Sequence, residues 1–130
     1  MKILVVDDCA TTRKLLTLYL KSKGYEVATA ENGLDGLEKV GKEGVNLVLS
    51  DLNMPYMDGL EFVKSLRANP DTAELPVVMV TTEADPEEKE KAMKAGANGY
   101  MVKPVTAEMV AKNIKEIVKD LFGKGGSSNV

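Results

Sequence analysis

The chain has 130 residues, with 17 Lys and Arg against 20 Asp and Glu, for a formal net charge of −3. This length points to one domain that buries a core without disulfide or metal staples, and 44% hydrophobic with 28% charged residues is too apolar for a disordered chain. The absence of histidine excludes a Ser-His-Asp triad, a Cys-His pair, an HExxH zinc site and phosphorylation on His, and the single cysteine, Cys9, excludes an internal disulfide and a CxxC motif.

Ile3-Leu4-Val5-Val6 is a continuous apolar run that stops at Asp7-Asp8. Such runs are typical of strands buried on both faces, as in parallel sheets. Leu15, Leu16, Tyr19 and Leu20 then fall on one helical face, ended by Gly24, and Tyr25 to Ala28 is a short strand candidate. Leu34, Leu37 and Val40 recur at three-residue spacing before Gly41 and Gly44. Val45 to Leu49 is a second buried-strand run, stopping at Ser50-Asp51. Leu60, Val63 and Leu66 form a helical pattern that ends near Asn69-Pro70. Val77-Val78-Met79-Val80 follows Pro76 and stops at Thr81-Thr82. Pro86 opens a charged helical segment that closes at Gly96, the expected placing of Pro near a helix start and Gly after its end. Tyr100-Met101-Val102 is a last strand, stopping at Lys103-Pro104. Val110, Ile114, Ile117, Val118 and Leu121 make a strongly amphipathic final helix.

Strands alternating with helices predict an α/β (βα)5 fold, a parallel sheet with helices on both faces. The expected domain spans 1–122. The Gly- and Ser-rich stretch 123–130 reads as a flexible tail, a cut linker or an expression remnant. No internal repeat is visible. The lone thiol fits a reducing cytosol. No basic stripe suggests a nucleic-acid partner, and neither a signal peptide nor a membrane-length apolar run is present. A cytoplasmic, monomeric protein without membrane insertion is the expectation.

The polar residues of interest fall just after strand runs. In an open α/β sheet the ligand crevice lies beyond the carboxyl ends of the strands. That rule brings Asp7, Asp8, Asp51, Thr81 and Lys103 together from five distant positions. Three carboxylates so close repel each other. A hard divalent cation such as Mg2+ suits an all-oxygen site, and Lys103 adds positive charge from the other side. A carboxylate in that setting can act as a nucleophile toward a phosphoryl group, forming an aspartyl phosphate. Neutralising the equatorial oxygens is then a matter of positioning and electrostatics, and Thr81 offers a hydroxyl. Taken singly, each feature has a plainer meaning. Asp-Asp caps a helix, Asp51 with Asn53-Met54-Pro55 makes a turn, Thr81-Thr82 is a cap, and Lys103 is a surface lysine. Their joint placement at consecutive strand ends favours a site.

These residues resemble the receiver domain of bacterial response regulators. The signature stretches are Val5-Val6-Asp7-Asp8, Ser50 to Gly59, Val80-Thr81-Thr82 and Gly96 to Pro104, and the likeness runs from Lys2 to about Phe122. The resemblance implies a flavodoxin-like sheet of order 2-1-3-4-5. It implies that Asp51 is the phosphoacceptor and that Asp7 or Asp8, with Asp51 and the Asn53 backbone carbonyl, ligates Mg2+. Asp8 is the stronger ligand candidate, with Asp7 acting partly through water. Lys103 would pair with the phosphoryl group, and the Lys103-Pro104 bond would be cis. Thr81 and Tyr100 match the switch pair. Asn53 and Glu83 match positions that tune hydrolysis of the acyl phosphate, and this pair is found in chemotaxis receivers of the CheY kind. The implied partners are a histidine kinase, a flagellar motor switch protein and a phosphatase. The domain would assist its own phosphorylation and dephosphorylation rather than turn over a substrate.

A phosphorelay receiver, or a receiver cut from a larger regulator, is the alternative within this class. A haloacid-dehalogenase-type phosphatase needs Asp-x-Asp after the strand, whereas Asn53 stands in place of the second carboxylate. A flavodoxin needs Gly and hydroxyls around its phosphate, and Asp7-Asp8-Cys9 would repel that anion. Val105 after Lys-Pro, where Phe is commoner, departs from the family pattern without removing chemistry. Acidic neighbours are expected to disfavour a Cys9 thiolate.

Overall fold

The apolar runs become five parallel strands, β1 (Lys2–Val6), β2 (Glu26–Ala30), β3 (Leu47–Ser50), β4 (Val77–Thr81) and β5 (Gly99–Val102). Five helices alternate with them, α1 (Ala10–Ser22), α2 (Gly33–Glu43), α3 (Gly59–Ala68), α4 (Pro86–Ala95) and α5 (Ala107–Ser128). The structure, a computed structural model, describes the backbone of residues 1–128 and the side chains of 1–121. The expectation of a tail over 123–130 therefore concerns side chains, and for Asn129 and Val130 also backbone, outside the described residues.

The sheet order is β2-β1-β3-β4-β5. The chain adds β2 on one side of β1, then returns to add β3 on the other. With right-handed crossovers, that reversal sends helices to opposite faces and opens a crevice at the carboxyl ends of β1 and β3. Alternate side chains of each strand face opposite layers. Ile3 and Val5 join Leu16 and Leu20 of α1 and Val110 and Ile114 of α5 in one cluster. Leu4 and Val6 join Phe62, Val63 and Leu66 of α3 and Ala92 of α4 in the other, with Leu37 and Val40 of α2 packed against them. The core strands are buried on both faces, which is why their sequence shows no polar alternation.

Element ends follow local chemistry. Asn32, Asp58 and Asp85 cap α2, α3 and α4, their side chains accepting from the N–H groups of Asp35, Glu61 and Glu87. Gly44 and Gly96 close α2 and α4 in the left-handed region. The strand bounds differ from the sequence expectation, by one residue in β1, β4 and β5 and by up to two in β2 and β3. β2 begins at Glu26 and runs on through Thr29 and Ala30, because these pair with Val5 and Val6. β3 begins at Leu47, because Asn46 instead bonds to both the backbone N–H and C=O of Lys2.

Candidate functional site

The parallel ladders continue one residue beyond the strands, and this holds the site residues at the crevice. The Asp7 N–H donates to Ala30 O (3.1 Å), the Asp51 N–H to Val6 O (2.8 Å) and the Lys103 N–H to Thr81 O (2.7 Å). Asp7, Asp8 and Asp51 each present a carboxylate oxygen within 4.8 Å of the others. Lys103 Nζ lies 2.9 Å from Asp7 Oδ2 and 3.2 Å from Asp51 Oδ2. Asp7 is only 1% exposed and Asp51 9%, so neither carboxylate is freely hydrated; Asp8 is exposed.

Backbone donors fix the remaining oxygens. Asp7 Oδ1 accepts from the Cys9 N–H at 2.8 Å, and Asp51 Oδ1 from Leu52 N–H at 2.7 Å, with the Asn53 N–H at 3.4 Å. Neither Asp7 nor Asp8 caps α1; that position belongs to Cys9. Gly59 closes the loop after Asp51, donating to Leu52 O at 2.8 Å. A Cβ there would lie 2.5 Å from the Asp51 carbonyl oxygen, so only glycine permits this approach. The Lys103-Pro104 bond is cis.

Burial raises the Asp7 pKa and the Asp51 charge adds to this, against the lowering effects of the Cys9 N–H and Lys103. Burial opposes the charge on Lys103, but its hydrogen bond to Asp7 and the charges of Asp51 and Asp7 outweigh it and hold the ammonium above its ordinary range. Three carboxylates against one ammonium leave an excess of negative charge among oxygen donors. That donor set fits a hard divalent cation, and Asp7, Asp8 and Asp51 could hold it.

Thr81 is fully buried at the end of β4, its hydroxyl oxygen accepting from the Glu83 N–H at 3.3 Å. The Tyr100 hydroxyl donates to the Glu83 carbonyl at 2.7 Å. Burial, followed by the charge of Glu83, raises the Tyr100 pKa and keeps this donor protonated. The residues expected at the site thus fall into two linked groups. Asp7, Asp8, Asp51 and Lys103 form the acidic crevice, while Thr81, Glu83 and Tyr100 form a chain leading to α4. Asn53 is exposed beside the crevice.

Arg13 was not anticipated. Its Nη1 donates to the Asp7 carbonyl at 2.6 Å and its Nη2 lies 3.5 Å from Glu31 Oε1, tying α1 to the ends of β1 and β2. Its placement six residues after Asp7, on the first turns of a helix, was the available signal. For Cys9 the expected direction is corrected. The Thr12 hydroxyl, then the N–H groups of Thr12 and Thr11, lower the thiol pKa, outweighing the raising effect of Asp7.

A doubly wound sheet carrying an acidic pocket and a lysine beyond its strand ends defines a small class of regulatory domains. Residues 3–115 match the model of the response regulator receiver domain. The chain is 38% identical over 129 residues to a chemotaxis protein CheY homolog of Campylobacter jejuni, covering 98% of this chain and 99% of that one. Among solved structures, chemotaxis protein CheY4 of Vibrio cholerae superposes with a TM-score of 0.85 at 39% identity, over 89% of this chain and 97% of that chain. A CheY-like receiver domain protein of Methanospirillum hungatei superposes with a TM-score of 0.86 at 31% identity, over 95% and 97%. The chain belongs to the response regulator receiver domain family, whose members are signalling domains rather than classical enzymes. Among the described residues no helix is long and apolar enough to cross a membrane.

Proposed function

We propose that this protein is a chemotaxis receiver in which phosphorylation of Asp51 switches the binding of a partner. The observation that carries the reading is the shared ammonium: Lys103 Nζ reaches both Asp7 and Asp51 across strands far apart in sequence. Asp51 Oδ1 is held by backbone N–H groups, so Oδ2 is the oxygen directed at an incoming phosphoryl group. Oδ2 attacks phosphorus, the bond from phosphorus to the donor breaks, and the donor leaves with that electron pair. An acyl phosphate remains on Asp51, and water later returns it as the free carboxylate and inorganic phosphate.

Asp8, Asp51 and the Asn53 carbonyl would hold Mg2+, with Asp7 engaged by Lys103 and by the Cys9 N–H and acting through water. When bound, the cation offsets charge on the phosphoryl oxygens. Lys103 would turn from the carboxylates to the phosphoryl group, and the Thr81 hydroxyl would donate to it. Tyr100 would exchange its bond to Glu83 for an inward position, a two-state bias toward a conformer scarce beforehand. Asn53 and Glu83 would tune how fast water hydrolyses the acyl phosphate.

The donor would be a histidine kinase, and the target a flagellar motor switch protein, with a phosphatase ending the signal. The names of the relatives from Campylobacter jejuni and Vibrio cholerae support the chemotaxis role. A small acyl phosphate with Mg2+ is expected to add one phosphoryl group by intact mass, and Asp51→Asn to add none; incorporation in that variant would overturn the assignment. Retention of a flagellar switch protein by the beryllofluoride-activated chain, and not by Asp51→Asn, tests the output. Retention of a phosphotransferase instead would favour a phosphorelay receiver.

A further inference from the structure

α4 is the most weakly buried helix of the fold, with Ala92 alone fully buried and Met93 39% exposed. Its two ends are held by different means. At the N-terminal end the links from the sheet reach Glu83, before the helix begins, and are neutral: the Tyr100 hydroxyl donates to the Glu83 carbonyl at 2.7 Å, and the Thr81 hydroxyl oxygen accepts from the Glu83 N–H at 3.3 Å. At the C-terminal end stands Arg67 of α3. Its Nε and Nη2 donate to the Gly96 carbonyl at 3.1 and 2.9 Å, its Nη2 to Asn98 Oδ1 at 3.0 Å and its Nη1 to the Thr72 carbonyl at 3.2 Å. Asn98 Oδ1 also accepts from the Val77 N–H at 2.9 Å, and the Asn98 N–H donates to Val77 O at 2.7 Å. The end of α4 is thereby joined both to α3 and to the first residue of β4.

The charge favours this arrangement. Among the described residues Arg67 pairs with no carboxylate, and its guanidinium instead lies on the carbonyl just past the negative end of the helix dipole. Charge-assisted bonds of this kind are roughly twice as strong as neutral ones. Gly96, at φ +118°, allows the approach, since a Cβ there would lie 2.8 Å from Arg67 Nε.

We propose that Arg67 is a positioning residue of the switch, pinning the C-terminal end of α4 so that rearrangement at Thr81 and Tyr100 swings only its N-terminal end. The inference rests on the reading of Asp51 as phosphoacceptor. A helix of ten residues is about 15 Å long, so a tilt of about 10° about Gly96 displaces its far end by about 2.6 Å. A surface read by a partner can therefore change while the packing around Ala92 and Ala97 persists.

The test is amide hydrogen exchange, followed residue by residue, with and without Mg2+ and beryllofluoride. In the wild-type chain activation is expected to change exchange by about tenfold at the amides of Glu83 to Lys89 and by less than about twofold at Gly96 to Asn98. In Arg67→Gln the activation-dependent change is expected to extend through Asn98, with the Mg2+ affinity retained. Gly96→Ala, which displaces the same guanidinium from the other side, is expected to give the same redistributed pattern. An equal change at both ends of α4 in the wild type overturns the pin, as does an Arg67→Gln pattern identical to wild type. No change anywhere in the wild type would overturn the phosphoacceptor reading as well, which separates the two failures.

Discussion

Lys103 is the one ammonium between two nearly buried carboxylates, and each of the three depends on the other two. Removing it leaves the acidic crevice without its fixed cation. Lys103→Ala is expected to bind Mg2+ more tightly, by about thirtyfold, since a unit charge about 4 Å from a divalent cation contributes about 2 kcal/mol in water; isothermal titration reads this. The same variant is expected to lose activation-dependent partner binding, and normal binding would refute the role given to Lys103. Asp7 behaves oppositely. Its carboxyl is raised by burial above the ordinary 3.8, so ionising it costs folding free energy. Its contribution to stability is complete below pH 3.8 and is lost as pH rises through the raised native value. Asp7→Asn should therefore raise the Tm of the metal-free chain at pH 7. The advantage should vanish in melts below pH 3.8. A variant less stable than wild type at neutral pH would show that the Lys103 pair outweighs desolvation.

At the scale of elements, the loop from Asp51 into α3 is the most tightly constrained part of the site. Gly59 lies directly on the Asp51 carbonyl, and Asp58 caps the helix that follows. Gly59→Ala forces a Cβ to within 2.8 Å of Leu52 Cα. A cost of about 2 kcal/mol in urea unfolding is expected, together with slower phosphoryl incorporation, because the clash moves the Asp51 backbone. Much of this element level was legible in the sequence. Pro86 and Gly96 bound their helix through local chemistry that a short window contains. The carboxyl end of β2 was not, because Thr29 is followed by Ala30, a weak strand former, and then by Glu31 and Asn32; pairing with Val5 and Val6 is what extends the strand. Arg67 also escaped notice, since its acceptors at Gly96 and Asn98 lie 29 and 31 residues away.

For the whole molecule, closing the sheet places repelling carboxylates together, and a cation held by Asp7, Asp8 and Asp51 in the folded state alone would relieve them. Mg2+ at about 100 times its Kd should stabilise the chain by about 2.7 kcal/mol. Differential scanning calorimetry with and without the metal checks this, and Asp51→Asn should reduce the shift. The sequence by itself determined the alternation of strands and helices, and that Asp7, Asp8, Asp51, Thr81 and Lys103 all stand at strand ends. Those facts follow from local periodicity and from the rule that strand carboxyl ends converge in a doubly wound sheet. Only the tertiary structure decided how the two neighbouring aspartates differ. Asp7 turns into the protein, against Lys103 96 residues away, while Asp8 stays exposed. It alone decided that α4 is held by Tyr100 at one end and Arg67 at the other. Desolvation, shared charges and hydrogen bonds between distant elements exist only once the sheet has brought those side chains together.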